Sequence, residues 1–154
     1  MRRPYVAAYN LPAPYFVDGL EFYWDETNGV WLSRDMTEHV VRGNSEQFTE
    51  AMNNCYLRSD ANEGLQVTDA VAVVGMTASW VVTATTGNIR CRRDGSNIAA
   101  LDLAVDGISN TQAENMGLYG AFAASGRLQV YIDGLSAPIS YPTVSIWTRR
   151  SITP

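Results

Sequence analysis

Histidine and cysteine, which often supply nucleophiles, general bases and zinc ligands, are scarce in this sequence. His39 is the only histidine, and Cys55 and Cys91 are the only cysteines. A Ser-His-Asp or Cys-His mechanism would have to use His39, but residues 35–42 contain no nucleophile motif, and neither a G-x-S-x-G elbow nor a P-loop occurs elsewhere. Three such side chains also fall short of the four ligands of a closed zinc site. The sequence therefore predicts a non-enzyme with no catalytic residue, metal site or cofactor, and places His39 at a surface or interface.

Paired carboxylates are a second possible source of chemistry, because two of them can hydrolyse a glycosidic bond. Glu21 and Asp25 lie near Trp24 and Trp31, whose rings could stack on a sugar. Acids beside a tight turn are usually solvated, however, and tryptophan in a hairpin usually belongs to the core. We do not predict a hydrolase, and a glycan-binding face on Trp24 and Trp31 remains an alternative function.

Arginine supplies all 11 basic residues, and lysine is absent. A planar guanidinium suits bidentate contacts at protein interfaces, so this bias fits a protein within an assembly, although codon usage in a GC-rich genome would also produce it. Arg90, Arg92 and Arg93 form the densest basic patch. They could meet carboxylates on a neighbour, a phosphate backbone or only water. The net charge of −5 makes direct nucleic-acid binding an unfavoured role.

Size and composition indicate one folded domain. The chain has 154 residues, of which 46% are apolar and 18% charged. Two cysteines can form one disulfide at most and do not indicate a secreted, stapled scaffold; whether Cys55 and Cys91 pair stays open. Met1-Arg2-Arg3 precedes no apolar signal region, and no stretch is long enough for a membrane helix. We therefore expect synthesis in a cytoplasm and no membrane partner.

Residues 1–19 read as an extended arm ahead of a β-rich domain over 20–154. Three prolines disfavour helix in the arm, which also carries large apolar side chains that a free tail would leave in water. The arm therefore packs either on its own domain or on a neighbouring subunit. The residues predicted to bind a partner are those of the arm and the basic patch: Tyr5, Tyr9, Tyr15, Phe16, Arg90, Arg92 and Arg93.

The clearest local pattern is a β-hairpin. Strands Leu20–Thr27 and Val30–Arg34 flank Asn28-Gly29, a dipeptide suited to a two-residue type I′ turn. That turn predicts Thr27 opposite Val30 and Glu26 opposite Trp31. Alternation then defines two apolar faces, both of which should be covered. One face carries Phe22, Trp24 and Trp31, and the other carries Tyr23, Val30 and Leu32.

One helix is predicted over residues 44–57. Asn44 can cap it, with Gln47 three residues later as in a capping box. Its buried stripe follows helical spacing through Phe48, Ala51, Met52, Cys55 and Tyr56, which would make Cys55 a core residue.

Strands separated by Gly-containing turns fill the second half of the chain. Period-two alternation is clear in residues 77–85 and 127–133, whereas Val67–Val74 is apolar on both faces and reads as a central strand. The turn spacing favours a mainly β fold, a β-sandwich or jelly-roll-like domain with one short helix and an N-terminal arm.

A second hairpin over 88–105 allows its register to be predicted. A three-residue loop, Arg93-Asp94-Gly95, pairs Ile89 with Ala99 and Cys91 with Asn97. A two-residue Asp94-Gly95 loop would instead move Arg90 and Arg92 to the apolar face, so the three-residue loop is preferred. The predicted buried face comprises Ile89, Cys91, Ala99, Leu101, Leu103 and Val105.

Taken along its whole length, the chain resembles virion proteins of tailed bacteriophages, especially capsid cement or decoration proteins. The resemblance lies in the Pro/Tyr arm at 4–16, the strands rich in Ala, Thr, Gly and Ser at 77–88 and 117–133, and the missing catalytic motif. It implies a β-rich, homo-oligomeric protein, with a trimer favoured, that binds a major capsid or other virion protein and resides in the virion. A phage tail or head–tail connector component is the other alternative.

Overall fold

The structure, a computed structural model, describes residues 5–6, 11–12, 15–42, 55–57, 64–81, 86–106, 111–137 and 139–153. Within these ranges every regular element is a β-strand, which confirms the mainly β fold class. In chain order the strands are β1 Tyr5–Val6, β2 Leu11–Pro12, β3 Tyr15–Val17, β4 Leu20–Asp25, β5 Val30–Ser33, β6 Thr37–Arg42, β7 Cys55–Tyr56, β8 Leu65–Gln66, β9 Val71–Val81, β10 Thr86–Arg93, β11 Ser96–Asp106, β12 Gln112–Asn115, β13 Gly120–Phe122, β14 Arg127–Asp133 and β15 Ser140–Ile152.

Two antiparallel sheets contain nearly all of these strands. The larger, eight-stranded sheet has the order β12-β9-β15-β5-β4-β3. Strand β6 pairs with β15 alongside β5, and β13 pairs with β9 alongside β12. The smaller, five-stranded sheet has the order β11-β10-β14-β7, and β8 also pairs with β14. Strands β1 and β2 pair only with each other among the described residues.

The two sheets pack face to face around one hydrophobic core, as in a β-sandwich. The inner face of the larger sheet contributes Val73, Met76, Val144 and Ile146, among others. The smaller sheet contributes alternate residues of β10, β11 and β14 to the same cluster, which are Ile89, Cys91, Leu101, Leu103, Val105, Leu128, Val130 and Ile132. Period-two alternation in these strands is therefore the pattern that builds the core.

The first hairpin has a longer loop than predicted, but its faces are as predicted. Asp25 pairs with Val30 and Trp24 with Trp31, so the loop has four residues, 26–29. The Asp25 carboxylate closes this loop by accepting hydrogen bonds from the backbone N–H and the side-chain amide of Asn28, the latter at 2.8 Å. Gly29 alone takes a positive φ there, whereas a type I′ turn needs two such residues. The register moves by two residues, which leaves each side chain on its predicted face.

The second hairpin has the two-residue loop that the sequence disfavoured. Asp94 and Gly95 both take positive φ, and Arg93 pairs with Ser96. Beyond Arg92↔Asn97 the ladder resumes at Arg90↔Asp102, so Cys91 alone lies opposite residues 98–101. These three extra residues on β11 form an irregularity that restores the apolar side chains to the core. The predicted pairings are wrong, but Ile89, Cys91 and Leu101 are buried as predicted.

The helix predicted over 44–57 is wrong at its C-terminal end. Residues 44–54 lie outside the described residues, but Cys55 and Tyr56 form strand β7, opposite Ile132 and Tyr131 of β14. The edge of β14 provides backbone partners for these two residues, and tertiary pairing overrides a local helical pattern.

Part of the predicted arm belongs to the larger sheet. Residues Tyr15–Val17 form strand β3, which a turn at Asp18-Gly19 joins to β4, so the predicted boundary at residue 19 falls inside a hairpin.

Gly120 provides a test of how closely the strands pack across the core. A Cβ atom at this position would lie 2.5 Å from Cδ1 of Leu101, which is fully buried. We expect Gly120→Ala to lower the free energy of unfolding by roughly 1–3 kcal/mol, because the core must move to accept the methyl group. Urea unfolding measures this change. Gly117→Ala is the control, since its nearest atom would be 3.7 Å away; equal losses in both variants would contradict the packing described.

Candidate interaction face

The three arginines of the predicted basic patch are all engaged within the chain. Arg90 lies on the outer face of the smaller sheet, where its Nε donates to Asp133 at 2.8 Å and its Nη1 donates to Asp102. The hydrogen bond to Asp133 and the charges of both carboxylates raise the pKa of the Arg90 guanidinium. Two acids for one base make this cluster net acidic, so it does not form the basic surface that the sequence suggested.

Arg92 lies over the ring of Tyr131, with Tyr56 to one side, on the same outer face. Its guanidinium carbon is 3.4 Å from the ring centroid of Tyr131 and 5.4 Å from that of Tyr56, and its Nη1 donates to the Tyr56 hydroxyl at 2.9 Å. Arg93 donates to the backbone oxygen of Ala121 at 2.6 Å. These arginines therefore connect β10 to neighbouring strands. Contact between any of them and a partner stays a prediction.

Of the arm residues predicted to bind a partner, Tyr15 and Phe16 belong to the larger sheet, whereas the three arginines belong to the smaller sheet. Tyr5 pairs with Pro12 in the β1–β2 ladder, and Tyr15 pairs with Phe22 in the larger sheet. Phe16 is 72% exposed at the edge of that sheet. Tyr9 lies outside the described residues. Among these four residues, Phe16 is the one whose side chain the structure describes, and it is available to a partner.

The tryptophan pair does not form an exposed sugar platform. Trp24 and Trp31 do pack edge to face, with ring centroids 5.4 Å apart. Trp31, however, is fully buried on the inner side of the larger sheet, and Trp24 is half-buried. Stacking on a sugar requires an open ring face, and Trp31 presents none.

His39 and Cys91 are placed as structural residues. His39 lies half-buried on β6, with Nε2 3.0 Å from the Thr148 hydroxyl, and burial lowers the pKa of its imidazole. Cys91 is fully buried, and burial together with the charge of Asp102 raises the pKa of its thiol to about 12. A thiol with such a pKa is protonated at neutral pH and is a poor nucleophile. The side chain of Cys55 lies outside the described residues.

The outer face of the larger sheet, opposite the core, carries a second and smaller apolar cluster. Val30, Leu32 and Ala72 are buried there beneath Tyr23, Val74 and Tyr119. Val74 has no partner on β15, because Gly75 pairs with Trp147 and Val73 with Thr148; it is the extra residue of a β-bulge. The carbonyl of Val74 instead accepts the Leu118 N–H at 3.2 Å, which brings the segment 116–119 over this face.

A groove of about 400 Å³ opens beside this cluster. Its walls include two tyrosines, two methionines, one acidic and one basic side chain, which are Tyr23, Tyr119, Met36, Met116, Asp25 and Arg149. Arg149 is half-buried. Its Nη1 donates to the backbone oxygens of Ser33 (2.8 Å) and Arg34, and its guanidinium carbon lies 5.6 Å from the Tyr23 ring centroid. Burial and the charge of Asp25 raise the pKa of the Tyr119 hydroxyl.

A polar cavity of about 350 Å³ continues the same face toward the far end of β9. Its floor consists of hydroxyl side chains, Thr77 and Ser79 of β9 with Thr143 and Ser145 of β15. Gln112 and Glu114 of the edge strand β12 form one wall. The outer face therefore changes from aromatic and thioether groups at the groove to hydroxyl and amide groups at this cavity.

Exposed apolar side chains are concentrated on this outer face. Seven large hydrophobic side chains are exposed among the described residues. Five of them belong to the outer face by strand alternation or by lining the groove: Phe16, Met36, Val40, Val81 and Met116. Leu65 lies on the smaller sheet, and Tyr141 is near the start of β15. Such clustering on one face marks an interaction surface more than scattered exposure would.

Sequence reasoning missed this groove. The alternation that grouped Tyr23, Val30 and Leu32 on one face was a usable signal for its floor. The bulge at Val74 and the crossing of residues 116–119 left no pattern in the sequence, since both depend on pairing between distant strands.

No protein-family model and no curated protein matches the chain. Within the part of the chain that the structure describes, no three His, Cys, Asp or Glu side chains are grouped as metal ligands would be. That part also contains no helix with the length and apolarity needed to cross a membrane.

His39 makes folding stability depend on pH. Its pKa in the folded state is below that of the unfolded chain, so the unfolded state binds more protons as the pH falls. We expect the free energy of unfolding to fall as the pH drops through about 6.5, and to fall less in His39→Gln. Thermal or urea unfolding between pH 8 and pH 5.5 measures the difference between the two proteins. Identical pH profiles would contradict a half-buried neutral imidazole.

Proposed function

We propose that this protein is a non-catalytic structural protein of a virion that attaches to a phage capsid shell as a cement or decoration protein. The observation that carries the proposal is the outer face of the larger sheet, which bears five exposed apolar side chains and a groove lined by Met36, Met116 and Arg149, among others. The contacting partner is a major capsid or other virion protein. The resemblance of the whole chain to cement proteins selects this kind of assembly over others.

The groove has the chemistry of a protein-binding surface. Tyrosine, methionine and arginine are enriched at the centres of protein interfaces, and buried aromatic or arginine anchors carry most of the binding energy there. Tyr23 and Arg149 are already held in place by β4, β5 and the backbone oxygens of residues 33 and 34, so little conformational entropy is lost on binding. Met36 and Met116 can adapt their unbranched side chains to the shape of the partner.

Co-sedimentation with assembled capsid shells from the same source tests this function. We expect the purified protein to pellet with the shells in a fixed, saturable ratio. A Met36→Glu, Met116→Glu variant should bind at least about tenfold more weakly, because it places two charges at the centre of the contact.

Leu65→Glu is the matched control for this experiment. Leu65 is 43% exposed and the two methionines are each 42% exposed, but Leu65 lies on the smaller sheet. The control should therefore pellet like the unmodified protein. The proposal is wrong if the unmodified protein stays in the supernatant at saturating shell concentration, or if all three proteins bind equally well.

A further inference from the structure

Strand β6 uses only one of its two backbone edges within the described residues. It pairs with β15 from Thr37↔Thr148 to Arg42↔Thr143. Its neighbour β5 pairs with β4, whose last bond in this direction is the one that the Glu21 carbonyl accepts from the Arg34 N–H, and β4 does not pair with β6. The other edge of β6 thus presents a row of backbone N–H and C=O groups, and such an edge is a template for pairing with another strand.

The outward side chains of β6 form a short, regular pattern. Glu38, Val40 and Arg42 lie opposite Trp147, Ser145 and Thr143 of β15, on the outer face of the sheet. Val40 is 49% exposed although it is a β-branched apolar residue in a strand. Glu38 accepts a hydrogen bond from the Ser145 hydroxyl at 2.7 Å, and Arg42 makes no ion pair with any other described residue. An acid, an apolar residue and a base therefore follow one another along one face of an open edge.

We propose that two copies of this chain associate by antiparallel pairing of their β6 strands around a two-fold axis at Val40. In this register Val40 lies opposite Val40 of the second copy. Glu38 of each copy lies opposite Arg42 of the other, and His39 lies opposite Val41. Opposite charges and apolar residues placed directly across an antiparallel pair each stabilise it. The contact is isologous, since the same strand serves both copies.

The charges select this register over its neighbours. A shift of one residue would place outward side chains of one copy against inward side chains of the other. A shift of two residues would place Glu38 or Arg42 opposite Val40. A shift of four would place Glu38 opposite Glu38 or Arg42 opposite Arg42, and like charges directly opposite destabilise a pair. Only the register centred on Val40 forms two ion pairs and one apolar pair.

The proposed pairing joins the larger sheet of one copy to the larger sheet of the other, which makes one continuous sheet. A two-fold axis perpendicular to this sheet leaves both outer faces, and both grooves, on the same side. Two grooves presented in one direction can engage one surface together, which raises apparent affinity without new contacts. The two-fold symmetry differs from the trimer that the resemblance implies. The pairing goes beyond the proposed function, because it requires no shell.

Sedimentation velocity over a series of protein concentrations, without shells, tests the pairing. We expect the unmodified protein to change from monomer to dimer as its concentration rises. Val40→Lys, which places two cations at the axis, should remain monomeric where the unmodified protein is dimeric. Glu38→Arg and Arg42→Glu should each weaken dimerisation about tenfold or more, since each converts two attractive pairs into repulsive ones.

The double variant Glu38→Arg, Arg42→Glu is the decisive control. It has lost the same native side chains as both single variants, including the Glu38 contact with Ser145, but it regains opposite charges across the axis. We expect its dimerisation to return to within about threefold of the unmodified protein. Val81→Lys, at an exposed residue elsewhere on the same face, should leave dimerisation unchanged.

Amide hydrogen exchange gives an independent measurement of the same contact. Amides in residues 37–42 should become more protected as the concentration passes through the dimerisation range. The pairing is overturned if the unmodified protein is a monomer or a trimer at every concentration, if Val40→Lys dimerises normally, or if the double variant fails to recover. Loss of the dimer would weaken shell binding by removing the second groove but would not abolish it, whereas failure to pellet with shells would leave the dimer intact, so the two proposals fail separately.

Discussion

The larger sheet depends on strand β15, which pairs along both of its edges. One edge of this 13-residue strand pairs with β9, and the other pairs with β6 and then β5. Its inner residues, Val144 and Ile146, enter the core. Its outer residues line the polar cavity and the groove. Strand β15 thus joins the N-terminal hairpins to the middle of the sequence, and among the described residues the two halves of the larger sheet pair only through it.

Irregular pairing decides which way side chains point in two places. At Val74 an extra residue on β9 turns the next segment, 116–119, over the outer face and forms the groove. Beside Cys91, three extra residues on β11 reverse the alternation that the tight Asp94-Gly95 turn would impose. Without this reversal the charged face of β10 would point into the core, which would cost far more than the backbone pairs lost at the irregularity. Bulges in this protein therefore adjust local turn geometry to the burial of distant side chains.

The arginines on the outer face of the smaller sheet make their contacts within the chain, and these contacts stabilise the fold. Arg90 joins Asp102 and Asp133, and Arg92 lies against Tyr131. Each contact links adjacent strands across the same outer face. The outer face of the larger sheet differs, because its exposed apolar residues and the open edge of β6 lack such partners among the described residues. This difference between the two outer faces places the proposed interactions on the larger sheet.

The sequence alone determined the properties that depend on local alternation. Inward and outward faces of β4, β5, β10 and β14 follow from period two, which a strand imposes wherever it lies, and the mainly β class follows from them. Loop lengths, the register of both hairpins and the strand at Cys55–Tyr56 were decided by pairing with strands far along the chain. The candidate groove likewise required β4, β5, β9, β15 and residues 116–119 to meet, and one sequence read in order does not show which distant segments pair. Alternation is a property of a single strand, whereas register and sheet order are properties of pairs, and for that reason only the tertiary structure revealed the outer face.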